Sequence, residues 1–234
     1  MTTSTSAQNI VECSGVRKVY HQGKVEVVAL DGIELSVERG GFMALAGPSG
    51  SGKTTLLNLI GGLDSPDEGS VSLDGNRLED LTPARLADLR LHRVGFVFQA
   101  YNLIPVLSAL ENVEFGMLLQ GVAVEERRKR ATDILDDVGL TGKYHRRPAE
   151  LSGGQQQRVA VARAIVSNPA VVLADEPTAN LDSNTGRGLL ELMREMNAKR
   201  QVTFVFSTHD EMVMDYARRR VLLRDGRIVE DHRK

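Results

Sequence analysis

Apolar positions change period along this chain, and the changes mark out its elements. Residues 10–20 and 25–30 are β-prone, and Ile33, Leu35 and Val37 alternate with polar neighbours, the period-two pattern of a half-buried strand. They predict an antiparallel sheet, preceded by a polar leader, 1–9, that is expected to be disordered. Residues 42–46 are an unbroken apolar run, read as a buried strand feeding a glycine-rich turn. The next stretch, 53–60, returns its apolar residues at helical spacing without Pro or Gly. A strand over 70–73 with an Asp74-Gly75 turn, a helix over 83–91 with proline in its first turn, and a strand over 94–98 follow.

From 101 to 157 the pattern is helical (Leu110, Val113, Met117, then 127–138) with no convincing strand, which predicts an inserted helical subdomain. Beyond it come a helix over 159–167, a strand over 170–174, a helix over 185–199 and a strand over 202–206. Leu189, Leu192, Met193 and Met196 share one face of that second helix. Alternation of this kind predicts a mainly parallel sheet covered by helices, hence an α/β fold. A hairpin of 221–223 and 227–229 around Asp225-Gly226 ends the pattern.

Composition narrows the function classes. With 234 residues, 41% of them hydrophobic, the chain suits one globular domain with an insertion. Its 29 Lys+Arg against 31 Asp+Glu leave no basic footprint for nucleic acid, so none is expected as a partner. No apolar run approaches the roughly 20 residues of a membrane span, and no secretory signal is visible, so the cytoplasm is the expected compartment. Cys13, the only cysteine, excludes a disulfide framework and a cysteine-rich zinc site and is read as a small hydrophobe in a strand. The basic run 127–130, after Glu125 and Glu126, is read as a solvated helix face.

The chemistry starts at Gly47-Pro48-Ser49-Gly50-Ser51-Gly52-Lys53-Thr54, which fits G-x-x-x-x-G-K-[ST]. Glycines there let backbone N–H groups converge on a polyphosphate, and the following helix adds its dipole. Lys53 is placed to reach the β- and γ-phosphates of ATP, Thr54 to put its hydroxyl on Mg²⁺, and Thr55 to bond an inner phosphate. The apolar run 171–174 ends in Asp175 and Glu176, at the sheet edge where α/β folds bind ligands. Asp175 suits the orientation of Mg²⁺ and Glu176 the polarisation of attacking water, although such carboxylates taken alone are often only turn residues.

Three further positions gain meaning from that loop. Gln99, after the strand over 94–98, approaches Mg²⁺ and water if that strand joins the same sheet. His209 ends another presumed strand, where a γ-phosphate contact competes with an ordinary surface histidine. Ser152, Gly153, Gly154 and Gln155 precede a helical run and read either as a helix cap with a glycine hinge or as a second anion site.

Taken in this order, the motifs resemble the ATP-binding cassette (ABC) ATPase family over nearly the whole chain. The resemblance implies a phosphate-loop, RecA-like core over 10–100 and 158–234, an N-terminal antiparallel β-subdomain, and a helical subdomain, 101–157, carrying the signature loop. It assigns Tyr20 to adenine stacking, Gln99 to the glutamine loop, Ser152 to Gln155 to the signature, Glu176 to catalysis, 179–182 to a dimer-facing loop and His209 to the switch. It also implies that two copies sandwich ATP head to tail, each site completed by the partner's Ser152 to Gln155. The segment from Phe98 to Pro105, with Leu110-Glu111-Asn112-Val113, is similar to the lipoprotein-releasing and macrolide-efflux subfamily. That similarity implies a multi-span permease, separate or fused; with no apolar run long enough to span, a separate one is expected, docking between Tyr101 and Leu107, whose apolar residues suit a partner surface, and holding the ATPase on the cytoplasmic face of the inner membrane. The alternative is a soluble or regulatory ATPase of the same type, in iron–sulfur assembly or transmembrane signalling, without transport.

Overall fold

The computed structural model describes residues 9–23 and 25–234. The strands, in chain order, are β1 (Asn9–Gln22), β2 (Val25–Glu38), β3 (Phe42–Ala46), β4 (Glu68–Leu73), β5 (Asn76–Arg77), β6 (Val94–Val97), β7 (Val171–Asp175), β8 (Thr203–Thr208), β9 (Arg219–Arg224) and β10 (Arg227–Arg233). The helices are α1 (Lys53–Ile60), α2 (Pro83–Arg93), α3 (Ala109–Leu119), α4 (Val124–Asp137), α5 (Gly153–Ile165), α6 (Ser183–Arg200) and α7 (Glu211–Tyr216). Of the leader expected to be disordered, 1–8 lie outside the described residues, and Asn9 already opens β1.

An antiparallel sheet runs β2-β1-β4-β5, and a second sheet runs β10-β9-β3-β8-β7-β6. In the second, β6, β7, β8, β3 and β9 are parallel and β10 returns antiparallel on β9. The two strand patterns expected over 25–30 and 33–37 are one strand, β2, because Gly32 at φ 68 absorbs an irregularity that a β-branched residue would not tolerate.

Side-chain alternation splits the central sheet between two cores. Met43, Leu45, Val171, Leu173 and Val205 face the antiparallel sheet, with Leu56, Leu57, Leu59 and Ile60 of α1 wedged between. Phe42, Val172, Ala174, Phe204 and Phe206 face the other way, onto α5, α6 and the helices of the insertion. There Leu189, Leu192, Met193 and Met196 of α6 are buried, as their helical spacing predicts. Burying both faces explains why β3, β7 and β8 read as continuous apolar runs rather than alternating ones.

Two expectations are corrected. The helix expected to start at 159 starts at Gly153, capped by Ser152, so it runs straight through the boundary drawn at 157. The basic run is not simply solvated: Arg127 donates to the Val122 carbonyl and Arg130 to the Val166 carbonyl, while Arg127 and Arg128 flank the buried carboxylate of Glu114. These guanidinium groups tie α4 to its surroundings instead of merely facing water.

Candidate functional site

Parallel register brings the chemistry together. Ala46 pairs with Thr208, Asp175 with Ser207 and Val97 with Ala174, so β3, β8, β7 and β6 all end on one edge of the sheet. A cavity of about 580 Å³ opens there, lined by Tyr20, Pro48, Ser49, Gly50, Gly52, Lys53, Thr54, Thr55, Gln99, Asp175, Glu176 and His209, along with Val27, Val28, Ala29 and Ala179. Gln99 reaches it because β6 does join the sheet beside β7.

The loop from β3 to α1 has little room for side chains at two glycines. A Cβ on Gly47, at φ 149, would lie 2.2 Å from the Leu223 carbonyl oxygen, and one on Gly52, at φ 101, would lie 2.5 Å from that of Ala29. No side chain caps the start of α1, so its first N–H groups stay available to an anion. Lys53 is buried, and its Nζ donates to the Gly47 and Pro48 carbonyls at 2.8 and 2.9 Å, which holds the ammonium against the loop. Gly47 and Ser51 do not line the cavity themselves. Ser51 is buried beneath it, its carbonyl accepting the Gly226 N–H at 3.2 Å.

At the far wall the Thr54 hydroxyl donates to both oxygens of Asp175, at 3.2 and 3.3 Å. Glu176 sits at φ 45, a left-handed conformation that costs a non-glycine residue about 1 kcal/mol or more. It is over-determined there, since its N–H donates to the Ser207 carbonyl at 2.9 Å and its carbonyl accepts the Ala179 N–H at 3.2 Å. Its side chain is gripped as well. Thr208 Oγ1 donates to Oε2 at 3.2 Å, and His209 Nδ1 lies 2.7 Å from Oε1. A carboxylate only accepts, so the Nδ1 carries the hydrogen of that bond.

Tyr20 also lines the cavity, its hydroxyl donating to Asp64 Oδ2 at 2.9 Å. Ser152 to Gln155 are not brought to the cavity. They form a capping box on α5, with the Gln155 N–H donating to Ser152 Oγ at 3.4 Å and the Ser152 N–H to Gln155 Oε1 at 3.2 Å. The helix-cap reading is therefore realised, and within one chain these residues do not meet Lys53.

Sequence reasoning missed three residues that shape the site, and placed a fourth, Asn180, only within the dimer-facing loop 179–182. Thr208 braces Glu176; Asp64 holds Tyr20; Asn180 donates to the Gln99 carbonyl at 2.9 Å; and Arg163 of α5 donates to the Tyr101 and Asn102 carbonyls just beyond Gln99. Of the three that were missed, only Thr208 carried a signal, its place one residue before His209 at a strand end. Tyr101 and Asn102 both have positive φ, 60 and 49, so the Arg163 guanidinium holds a sharply turned backbone.

Among the described residues no group of three or more His, Cys, Asp or Glu is arranged to hold a metal ion. The Thr54 hydroxyl and the Asp175 carboxylate, in contact at one wall, are a hard oxygen pair suited to Mg²⁺ when phosphate and water oxygens supply the remainder.

A mainly parallel sheet with a glycine-rich phosphate loop at its C-terminal edge, facing paired carboxylates, defines a phosphate-loop nucleotide hydrolase. Residues 30–179 match the ABC transporter family. The lipoprotein-releasing system ATP-binding protein LolD of Pseudomonas syringae is 44% identical over 225 residues, covering 96% of this chain and 99% of its own. The macrolide export ATP-binding/permease protein MacB of Hyphomonas neptunium is 46% identical over 95% of this chain, which spans only 34% of that longer protein. Among solved structures, the ATP-binding cassette MJ0796, a dimer in a post-hydrolysis state with ADP and phosphate, superposes with a TM-score of 0.88 at 42% identity, covering 95% of this chain and 98% of its own. The chain belongs to the ABC transporter family and is an ATP-binding, ATP-hydrolysing cassette, similar to the lipoprotein-release and macrolide-export type.

Proposed function

We propose that this ATPase works on the cytoplasmic face of a membrane, as a pair of copies that close head to tail around two ATP and drive a separate multi-span permease. Lipoprotein release or macrolide efflux is the transport type that LolD and MacB suggest. One observation carries the dimer: the cavity gathers the phosphate loop, Asp175, Glu176 and His209, while the Ser152 to Gln155 helix start stands outside it and is free to address a γ-phosphate held by another copy. The dimeric state of MJ0796 supports the same arrangement. No helix among the described residues is long and apolar enough to cross a membrane.

In the closed pair Lys53 would exchange its loop carbonyls for β- and γ-phosphate oxygens, with the N–H groups of 48–55 cradling the chain of phosphates. Thr54 and Asp175 would hold Mg²⁺, with Gln99 nearby; the ion supplies charge neutralisation on the phosphates. Glu176, held by Thr208 and His209, would accept a hydrogen bond from water and aim it at the γ-phosphorus. Its partner His209 would steady that geometry and contact the γ-phosphate. Tyr20 would stack on the base.

Glu176→Gln tests the reading. The amide keeps the shape and loses the charge that polarises water, so ATP binding persists, turnover falls by about 10²-fold or more, and ATP drives a stable dimer visible by size-exclusion chromatography with light scattering. A monomer at saturating ATP and Mg²⁺ sinks the sandwich.

A further inference from the structure

The turn that follows α1 grips β1 beside the cavity. Asp67 accepts the Val19 N–H at 2.6 Å and donates its own N–H to the Arg17 carbonyl at 2.9 Å, so the turn takes the place of a ladder partner along this part of β1. Asp64, in the same turn, is divided between two side chains. Its Oδ1 accepts from Lys18 Nζ at 2.9 Å and its Oδ2 from the Tyr20 hydroxyl at 2.9 Å. Lys18 and Tyr20 are two apart on a strand and so project from one face. The ammonium of Lys18, a buried residue, also donates to the Ser65 carbonyl at 2.7 Å and stands 5.3 Å from the centre of the Tyr20 ring.

These contacts constrain the one ring that faces the cavity from the base end. A tyrosine side chain on a strand near a hairpin ordinarily samples several rotamers, and freezing it on binding costs conformational entropy. Here the hydroxyl is anchored by an acceptor and the ring has a cation beside it, so the cost is met on folding. The anchor also has a definite place. α1 starts at the phosphate loop with Lys53 and runs to Ile60, and four residues later the chain reaches Asp64. One short rigid helix therefore fixes the distance between the phosphate cradle and the Tyr20 ring.

We propose that Asp64 and Lys18 are positioning residues for the base end of the nucleotide, Asp64 anchoring the Tyr20 hydroxyl and Lys18 packing beside the ring, so that Tyr20 presents a preset stacking surface at a fixed reach from the phosphate loop. The inference rests on the reading of Tyr20 as the base-stacking residue. It gives these two residues no part in holding phosphate, and this separates it from a merely structural role. A ligand with the phosphates and no base must be indifferent to the anchor.

The test compares ATP with inorganic tripolyphosphate by calorimetry, using the full chain and the variants Tyr20→Ala, Tyr20→Phe, Asp64→Asn, and Tyr20→Phe with Asp64→Asn. Tyr20→Phe removes one hydroxyl and leaves the Lys18–Asp64 pair in place, so it carries the test even if Asp64→Asn folds poorly. Tyr20→Phe and Asp64→Asn each weaken ATP by roughly two- to tenfold, the worth of one hydrogen bond. Tripolyphosphate affinity stays the same in both, and the double variant is no weaker for ATP than Asp64→Asn alone. Tyr20→Ala that weakens ATP while Tyr20→Phe and Asp64→Asn do not overturns the positioning role alone. Unchanged ATP affinity in Tyr20→Ala overturns the stacking itself and this inference with it. A parallel loss for tripolyphosphate in Asp64→Asn shows that Asp64 serves the phosphate loop and overturns the proposal.

Discussion

At Lys53 a single side chain has two sets of acceptors available. In the structure its ammonium is satisfied by two loop carbonyls, so in the proposed role ATP binding would exchange hydrogen bonds instead of creating them, and the gain would come from placing a positive charge among phosphate oxygens. Lys53→Ala removes that charge and is expected to weaken ATP binding by about tenfold or more in calorimetry, with the melting temperature little changed because the lost bonds lie within one loop. Affinity equal to the parent protein contradicts the phosphate-loop role. Such residues are legible in the sequence because loop and helix start are local. Thr208 and Asp64 are not, since their partners lie 32 and 44 residues away in the chain and only the fold makes them neighbours. Asp64 has a further consequence in acid. Partial burial raises its carboxyl pKa, but the Lys18 ammonium, the Ser65 N–H and the Tyr20 hydroxyl outweigh this and hold it below the ordinary value. A depressed carboxyl contributes stability that is present above its unfolded pKa and lost as pH falls through the folded one. The stability gap between the parent protein and Asp64→Asn, measured by urea unfolding, should therefore be open at neutral pH and close below about pH 4. A gap independent of pH removes the ionic part of the anchor.

Among the elements, α5 does the most joining. Its start carries Ser152 and the two glycines, its middle sends Gln157 Nε2 to the Pro177 carbonyl at 2.8 Å, and its end sends Arg163 to the turned backbone after Gln99. The beginning of this helix was hidden in the sequence by its composition. Glycine is a poor helix former, so Gly153-Gly154 reads as a hinge, and only the pairing of Ser152 with Gln155 as a capping box shows that a helix begins there. By contrast α6, with an apolar stripe and the Asp182 cap accepting from Asn184 and Thr185 N–H groups, was legible almost to its ends. Burial lowers the Arg163 pKa, and the guanidinium satisfies carbonyls that a turned backbone presents to few other donors. Arg163→Ala leaves those carbonyls without their donor, at about 2 kcal/mol, or roughly 4–8 °C in melting temperature. Arg163→Lys, which lacks the fork, should recover only part of it. A melting temperature for Arg163→Ala within a degree of the parent protein refutes the clamp.

For the molecule as a whole, the period of the apolar pattern announced a parallel sheet with helices on it, but not the strand order, because pairing of β3 with β8 and β9 depends on crossovers that no local pattern encodes. The same limit applies to the surface expected to meet the permease. The apolar segment between Tyr101 and Leu107 suggested one continuous exposed patch, and the structure divides it. Leu103 packs against the core that underlies the insertion, and Ile104 is held by Asn112, which accepts its N–H at 2.8 Å and donates to its carbonyl at 3.1 Å. Val106, at 69% exposure, remains in water, and α3 adds Phe115, Leu118 and Leu119, which share a face at i, i+3 and i+4 and are 39, 51 and 60% exposed. An apolar helix face left uncovered beside an exposed loop is the kind of surface that a partner helix buries. Its position also suits coupling, because the loop begins directly after Gln99, a cavity residue, and is fastened to α5 through Arg163. The permease that we propose should therefore read nucleotide state through this segment. A charge placed at Leu103 would disturb the core and confuse folding with docking, so Val106 is the position to alter. Val106→Glu puts a carboxylate where the partner would have to desolvate it, at a cost of several kcal/mol, while in the free chain the new side chain remains in water. The variant should keep the melting temperature and basal ATP turnover of the isolated protein within about twofold. It should no longer co-purify with the permease or show permease-stimulated hydrolysis in proteoliposomes, and normal stimulation would move the docking site elsewhere.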